Sequence, residues 1–205
     1  MAKREADTRE RILQAAKEEF LEKGYKDAWL RDITKKASVT TGALYGYFRN
    51  KEDLYGALVD EPYHRMLEMY DEILAQFHTL PPQEQMEQMR SYTGRGLQMM
   101  ADYIYDNWDS FRLILCHSEG TPYGHLVEEM AARDIQATDD FSQTSQDAGI
   151  SLNPVNPTLS CTLLYSMFFT FFAMVRQNLP REQSEQYITQ LLDFYTGGWE
   201  KLWGC

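Results

Sequence analysis

"TTGALYGYFRNKEDLY", Thr40 to Tyr55, gathers two glycines, three tyrosines and a small basic cluster in a chain whose formal net charge is -11. Leu44 and Phe48 are four residues apart, so a helix from Thr41 to Phe48 puts both on one face. Thr41, Gly42, Ala43, Tyr45, Gly46 and Tyr47 then lie on or near the other. A solvated helix face is normally rich in charged and amide side chains, yet this one carries no acidic residue. A glycine within a helix costs about 1 kcal/mol relative to alanine. Two in seven residues imply close backbone approach to another surface.

Upstream, Leu30 to Ala37 reads as a short helix burying Ile33 and Ala37, joined to the next by a tight connection at Ser38 to Thr40. A first helix runs from Thr8 to Lys23: Asp7 is its expected cap with Glu10 reaching back, Ile12, Ala16 and Phe20 recur every four residues, and Gly24 stops it. Asn50 and Asp53 mark the start of a fourth helix. Three short helices around one small core have the shape of a helix-turn-helix, although a plain helical hairpin has the same spacing. The exposed face of the third helix separates the two. Thr40 and Thr41 offer hydroxyls and free N–H groups to a phosphate, Tyr45 and Tyr47 can bond phosphate oxygens, Ala43 can touch a thymine methyl, and Lys51 with Arg49 adds positive charge.

Residues 11 to 59, "RILQAAKEEFLEKGYKDAWLRDITKKASVTTGALYGYFRNKEDLYGALV", resemble the DNA-binding domain of the tetracycline-repressor (TetR) family of bacterial transcriptional regulators. The match is carried by F-x-x-x-G-Y, the following Ile, and A-x-V-x-x-G-x-L-Y-x-x-F-x-x-K-E-x-L, about a dozen positions in register. The resemblance implies that the third helix reads an operator through Thr40, Thr41, Gly42, Ala43, Tyr45 and Tyr47, with Lys51 on a phosphate. It also implies a palindromic double-stranded DNA operator, a homodimer and release by a small-molecule effector. Departures are visible. Ser38 stands where the family often has Gly in the turn. Ala28 and Trp29 stand where it usually has a capping Thr, a role left to Asp27. Trp29 either packs on the first helix or lies against the DNA backbone. Tyr47 replaces a common His, and Gly46 replaces a residue that is often larger.

The rest of the chain differs in charge. Residues 1 to 52 carry 12 Lys and Arg against 9 Asp and Glu, a net of +3, and the remainder carries -14. This asymmetry fits an N-terminal segment that approaches a polyanion and a body that does not. Breaks at His78 to Gln83, Asn107 with Asp109, Glu119 to Gly124, Ala148 to Pro157 and Asn178 to Pro180 leave helices of about 51–78, 83–106, 109–117, 122–147, 155–178 and 181–203. The expected fold is all-α and TetR-like with about nine helices: a helix-turn-helix domain over 1–50 and a six-helix ligand-binding and dimerisation domain over 51–205. The segment 155–178 is apolar nearly all round and demands burial on more than one side. Together with 181–203 it is the expected dimer interface. Tyr63, Met66, Tyr70, Met99, Tyr103, Trp108, Phe111, Leu115 and Met167 are candidates for lining an effector pocket, although aromatic and Met stripes at helical spacing are usually simple core, and most of these read better that way. The acidic body and its tyrosines fit a cationic or aromatic ligand, although solvated acidic faces explain the charge equally well. Pro62 is expected to kink or split the fourth helix, where a kink could act as a hinge.

Other classes find less support. The longest apolar run, Met167 to Val175, is shorter than a membrane span needs, and the N-terminus lacks a secretory pattern, so a cytoplasmic protein with no membrane partner is expected. Cys116, Cys161 and Cys205 lack paired spacing and read as free thiols. Cys116, His117, Glu119 and His125 match no metal signature, and neither a phosphate-binding glycine loop nor a catalytic triad pattern occurs. The expectation is a non-enzyme without cofactor: a ligand-responsive DNA-binding regulator, a repressor by family pattern. The alternative is a helical protein-interaction module that has lost DNA binding.

Overall fold

Helical periodicity dictates the architecture of the computed structural model, which describes residues 2–204 and, among them, contains helices and turns but no strand. The helices are α1 (Ala2–Asp27), α2 (Leu30–Lys36), α3 (Thr41–Tyr47), α4 (Lys51–Phe77), α5 (Pro82–Asp106), α6 (Trp108–Cys116), α7 (Leu126–Asp147), α8 (Pro157–Phe171), α9 (Ala173–Arg176) and α10 (Ser184–Trp203). Short 3-10 turns at Pro122–His125 and Arg181–Gln183 precede α7 and α10. The expected helix over 155–178 is present as α8 and α9, which meet at Phe172. Cys205 lies outside the described residues, and Cys116 and Cys161 form no disulfide.

The chain divides into two compact units. Unit 1 holds the residues up to His64 together with Asn107–Leu126, and unit 2 holds Arg65–Asp106 and the chain from Val127 onward. The sequence reading placed the division at residue 50. The unit that contains the helix-turn-helix is larger than that, because α6 and the turn after it pack on α1 and on the first half of α4.

Unit 1 closes over the residues that the four-residue spacing selects. Ile12, Ala16, Phe20, Ile33 and Leu44 are fully buried, and Ala37 and Phe48 nearly so. α1 begins at Ala2, so Asp7 is inside the helix and not its cap; its carboxylate instead pairs with Arg11 at 3.7 Å. Gly24 ends the regular helix with φ 76, a left-handed angle that glycine adopts freely. The N–H of Tyr25 then donates to the His117 carbonyl at 2.9 Å, which ties α1 to the end of α6. Lys17 pairs with Asp109 at 2.9 Å and Lys26 with Glu119 at 2.6 Å along the same seam.

Pro62 lies inside α4, and the helix runs unbroken from Lys51 to Phe77, so of the expected kink or split the split does not occur. Proline cannot donate to the carbonyl four residues earlier, which is that of Leu58. The Ser110 hydroxyl on α6 donates to that carbonyl at 2.8 Å. A side chain 52 residues away in sequence thus replaces the missing helical bond. Close by, the Tyr55 hydroxyl donates to the Leu113 carbonyl at 3.0 Å and the Tyr123 hydroxyl to Asp60 at 3.0 Å.

Unit 2 packs α10 against α5 and α8. The segment Pro157–Arg176 is long and apolar enough to cross a membrane by length and composition, which the short apolar run at Met167 to Val175 did not suggest; 39% of its most apolar 18-residue stretch is buried inside the protein. Leu164, Met167, Phe168, Phe171 and Phe172 face inward, whereas Leu159, Tyr165 and Phe169 are exposed.

Candidate nucleic-acid interface and ligand cavity

α3 starts where its sequence requires. The Thr40 hydroxyl accepts from the Ala43 N–H at 3.1 Å, satisfying one of the donors a helix start leaves open. The first turn contains no acidic residue. Thr40, Thr41, Gly42, Tyr45 and Gly46 are exposed, Ala43 and Tyr47 are half-buried, and Leu44 and Phe48 hold the helix onto unit 1. No heavy atom would lie within 4 Å of a Cβ added at Gly46, so the space there is open. Six of the seven residues expected to contact DNA therefore form one continuous patch.

Lys51, the seventh, sits differently. Its ammonium donates to the Lys26 carbonyl at 3.1 Å and lies 4.8 Å above the Tyr25 ring. Burial lowers its pKa. Arg49 is 87% exposed at the side chain and is the freer charge beside α3, steadied by Asp53 at 3.3 Å. Asp53 also accepts the Arg49 N–H, and the Asn50 side chain accepts the Asp53 N–H at 2.7 Å, a reciprocal cap for α4.

Two of the departures, at Ser38 and at Trp29, have structural consequences. Ser38 takes φ 53, the left-handed conformation that glycine would adopt without strain. Trp29 occupies the N-cap of α2 with no side-chain cap bond, so Asp27 does not fill that role. Nor does Trp29 pack on α1: it is 70% exposed, and Ala28 is buried in its place.

A buried ion cluster fixes α2 to α1. Glu19 is fully buried, with Lys23 at 2.6 Å from one carboxylate oxygen and Lys36 at 2.8 Å from the other. Burial by itself would raise the Glu19 pKa, but the two ammonium groups outweigh it and hold the carboxyl below its usual range. Lys23 also reaches Asp32 at 3.1 Å and Lys36 reaches Glu22 at 3.2 Å.

Unit 2 contains a cavity of about 120 Å³. α4 contributes Tyr70, Ile73, Leu74 and Phe77, α5 contributes Met89, Tyr92, Leu97 and Met100, and α7 contributes Asp134 and Phe141. Leu164 and Met167 of α8 and Tyr195, Trp199 and Trp203 of α10 complete the wall. Trp199 and Trp203 lie with ring centres 4.9 Å apart, and Phe141 is 5.4 Å from Trp203. Of the nine sequence candidates, Tyr70 and Met167 line this cavity. Met66 is buried and Tyr103 half-buried away from it, and Met99 is 47% exposed. Tyr63, Trp108, Phe111 and Leu115 belong to unit 1, where Phe111 is fully buried core.

Asp134 escaped the sequence reading. Its carboxylate accepts the Tyr70 hydroxyl at 2.6 Å. Burial of the carboxyl raises its pKa to about 6, and the Tyr70 bond only partly offsets this. Tyr70 is pushed well above the usual phenol value by burial and then by the Asp134 charge. Arg133, next in the chain, is held by Asp71 at 2.9 Å and by Glu129. Within "AARDIQATDD", Asp134 resembles any solvated acid; only the position of Tyr70 on another helix distinguishes it.

Residues 12–58 match the family model described as bacterial regulatory proteins, tetR family. The chain is 32% identical over 74 residues to an uncharacterized HTH-type transcriptional regulator, YdgC, of Bacillus subtilis, covering 36% of this chain and 38% of that one. It is 43% identical over 54 residues to the HTH-type transcriptional repressor BepR of Brucella suis, 26% of each chain. The matched segment thus spans well under half the length of these curated relatives. The structure of the transcriptional regulator FadR from Bacillus subtilis, in complex with stearoyl-CoA, superposes with TM-score 0.54 at 17% identity, covering 92% of this chain and 97% of that one. That likeness extends the shared fold to the second unit.

Proposed function

Because residues 12–58 match the family model described as bacterial regulatory proteins, tetR family, we propose that the chain is a ligand-responsive transcriptional repressor. It binds a palindromic DNA operator as a homodimer and is released by a small-molecule effector held in the cavity of unit 2. The observation that carries this reading is the exposed face of α3, from Thr40 to Tyr47, which is hydroxylated, aromatic and free of acidic side chains in a chain of net charge -11. Thr40, Thr41, Gly42, Ala43, Tyr45 and Tyr47 meet the major groove. Arg49 supplies the phosphate charge, and Lys51 adds its own only after leaving Tyr25. The strain at Ser38 is accepted because the turn sets the angle at which α3 is presented.

The dimer forms through α8, α9 and α10. Leu159, Tyr165 and Phe169 are exposed along one face of α8, and Phe194 is 72% exposed on α10. Large apolar side chains collected on adjacent helices are the usual mark of a subunit interface. Gly197 and Gly198 beside Phe194 have open space where a Cβ would stand, which lets a partner backbone approach closely. A two-fold pair of this kind reads the operator when its two copies of α3 meet half-sites about 34–36 Å apart. The regulator works in the cytoplasm, and the division near residue 50 separates DNA reading from ligand sensing in sequence, while α6 and its following turn join the reading unit in space.

A gel-shift assay against the DNA upstream of its own gene tests the proposal. Specific binding that weakens steeply with salt is expected, because each phosphate contact releases counterions. Absence of binding to any specific sequence would leave α3 as a protein-interaction surface.

A further inference from the structure

We infer that the unit 2 cavity takes a hydrophobic cation, an aryl-alkylammonium in chemical class, whose ammonium group meets the Asp134 carboxylate beside Tyr70 while its ring fills the aromatic chamber. This deepens the effector reading given above and rests on it.

Three features of the cavity select this chemistry. The first is the lining itself, where Asp134 is the one carboxylate and no Lys or Arg is present. A ligand with an anionic head would find no Lys or Arg, only the His78 imidazole, and would face Asp134. The second is the state of that carboxylate. One oxygen accepts from Tyr70, and no Lys, Arg or His among the described residues lies within ion-pair distance of either oxygen. Its neighbour Arg133 is held by Asp71 and Glu129. A carboxylate taken out of water without a cation carries a desolvation cost that a bound ammonium group offsets, whereas a wholly apolar ligand leaves that cost in place. The third is the wall around it. Tyr92, Phe141, Trp199 and Trp203 line it with aromatic side chains, a surface that packs an aromatic body and tolerates a cation beside it, as Arg95 already lies over the Tyr92 ring at 5.4 Å.

Size and field agree with the same class. A cavity of about 120 Å³ suits a one- or two-ring ligand with modest adjustment of side chains, and the net charge of -14 beyond residue 52 draws cations toward the body. The titration of Asp134 near 6 leaves most of its negative charge in place at neutral pH, ready to pair.

Calorimetry on the full chain with three probes of matched shape decides the matter: 1-naphthylmethylammonium, the neutral 1-naphthalenemethanol and the anionic 1-naphthoate. The ammonium is expected to bind at least about tenfold more tightly than the alcohol, a difference of about 1.4 kcal/mol, and the naphthoate more weakly than either. Asp134→Asn should erase the preference for the ammonium while leaving the alcohol affinity unchanged. Tyr70→Phe keeps the carboxylate and should keep the preference, which guards against reading a folding defect as a lost contact. Equal binding of ammonium and alcohol, tighter binding of naphthoate, failure of all three probes to bind, or an Asp134→Asn chain that still prefers the ammonium would each overturn the inference. The gel shift, run with and without the ammonium, separates this result from the broader reading. Asp134-dependent binding that leaves DNA affinity unchanged keeps the cation site and removes its regulatory role. Intact DNA binding without charge preference in the cavity does the reverse.

Discussion

Glu19 in unit 1 and Asp134 in unit 2 are both carboxylates withdrawn from water, and their surroundings treat them in opposite ways. Glu19 is clasped by Lys23 and Lys36, one to each oxygen, and its pKa falls. Asp134 receives one phenol hydroxyl and no cation, and its pKa rises to about 6. The difference separates a finished structural contact from an open one. Glu19 fixes the relation of α2 to α1 and so the base from which α3 is presented. Asp134 stays incompletely compensated at the wall of a cavity, where compensation can come from outside.

The largest effect is expected from breaking the finished contact. Glu19→Ala removes both ion pairs and leaves a void against α2, though Lys23 keeps Asp32 and Lys36 keeps Glu22. The loss should be about 2–3 kcal/mol in urea unfolding, with specific DNA binding lost in parallel. An unchanged midpoint would mean that the cluster is only a surface network.

Asp134→Asn should act in the opposite direction. With the folded pKa raised from 3.8 to about 6, the native state holds this proton more tightly than the unfolded chain does. The favourable contribution is full below about pH 4 and is lost as pH rises through 6. The variant should therefore gain about 1–2 kcal/mol at pH 7, discounted for partial exposure of the residue, and should flatten the fall in stability between pH 4 and 6. Tyr70 and Asp71 on α4, His78 in the turn after it, Tyr92 on α5, Tyr195 on α10, and Glu129 and Arg133 on α7 itself are the other titratable or charged groups around the site. Glu19 has the contrary sign: its folded pKa is depressed below 4.5, so its contribution is present above that unfolded value and is lost as pH falls through the folded one. Acid titration of wild type and both variants should show the two slopes in separate windows.

Smaller tests probe how each unit is assembled. Ser110→Ala leaves the Leu58 carbonyl opposite Pro62 without its donor and should cost about 1 kcal/mol. Adding Pro62→Ala should recover much of this, since alanine restores the helical N–H; a double variant no better than the single would show that Ser110 matters for another reason. Ser38→Gly relieves the left-handed strain at φ 53 and should raise stability by about 0.5 kcal/mol.

These contacts also show what a sequence can and cannot reveal. Ile12, Ala16, Phe20, Ile33, Leu44 and Phe48 were legible as one core because their spacing is local and helical, and the outward face of α3 followed by exclusion. The strain at Ser38 was legible too, since its position calls for glycine. The start of α1 was not, because Asp7 has the chemistry of a cap yet lies in a helix that continues to Ala2. The continuity of α4 through Pro62 depends on a hydroxyl supplied from α6, and no local pattern contains it. The cavity draws on five helices, one of which, α10, had been read only as part of the dimer interface. Trp199 and Trp203, one turn apart, can serve a cavity wall while Phe194 on the same helix faces out. Asp134 acquires its character from Tyr70, 64 residues away.

The central claim is that the acid-free face of α3 reads DNA as one half of a two-fold pair. Hydroxyl-radical footprinting on the DNA upstream of its own gene tests it most directly, comparing the wild type with Tyr45→Ala, an exposed position whose removal leaves the Leu44 and Phe48 anchors in place. The account predicts two protected half-sites about one helical turn apart, with protection lost in the variant while its thermal unfolding is unchanged. Protection of a single unpaired site, or a variant that protects the same DNA equally well, would contradict it.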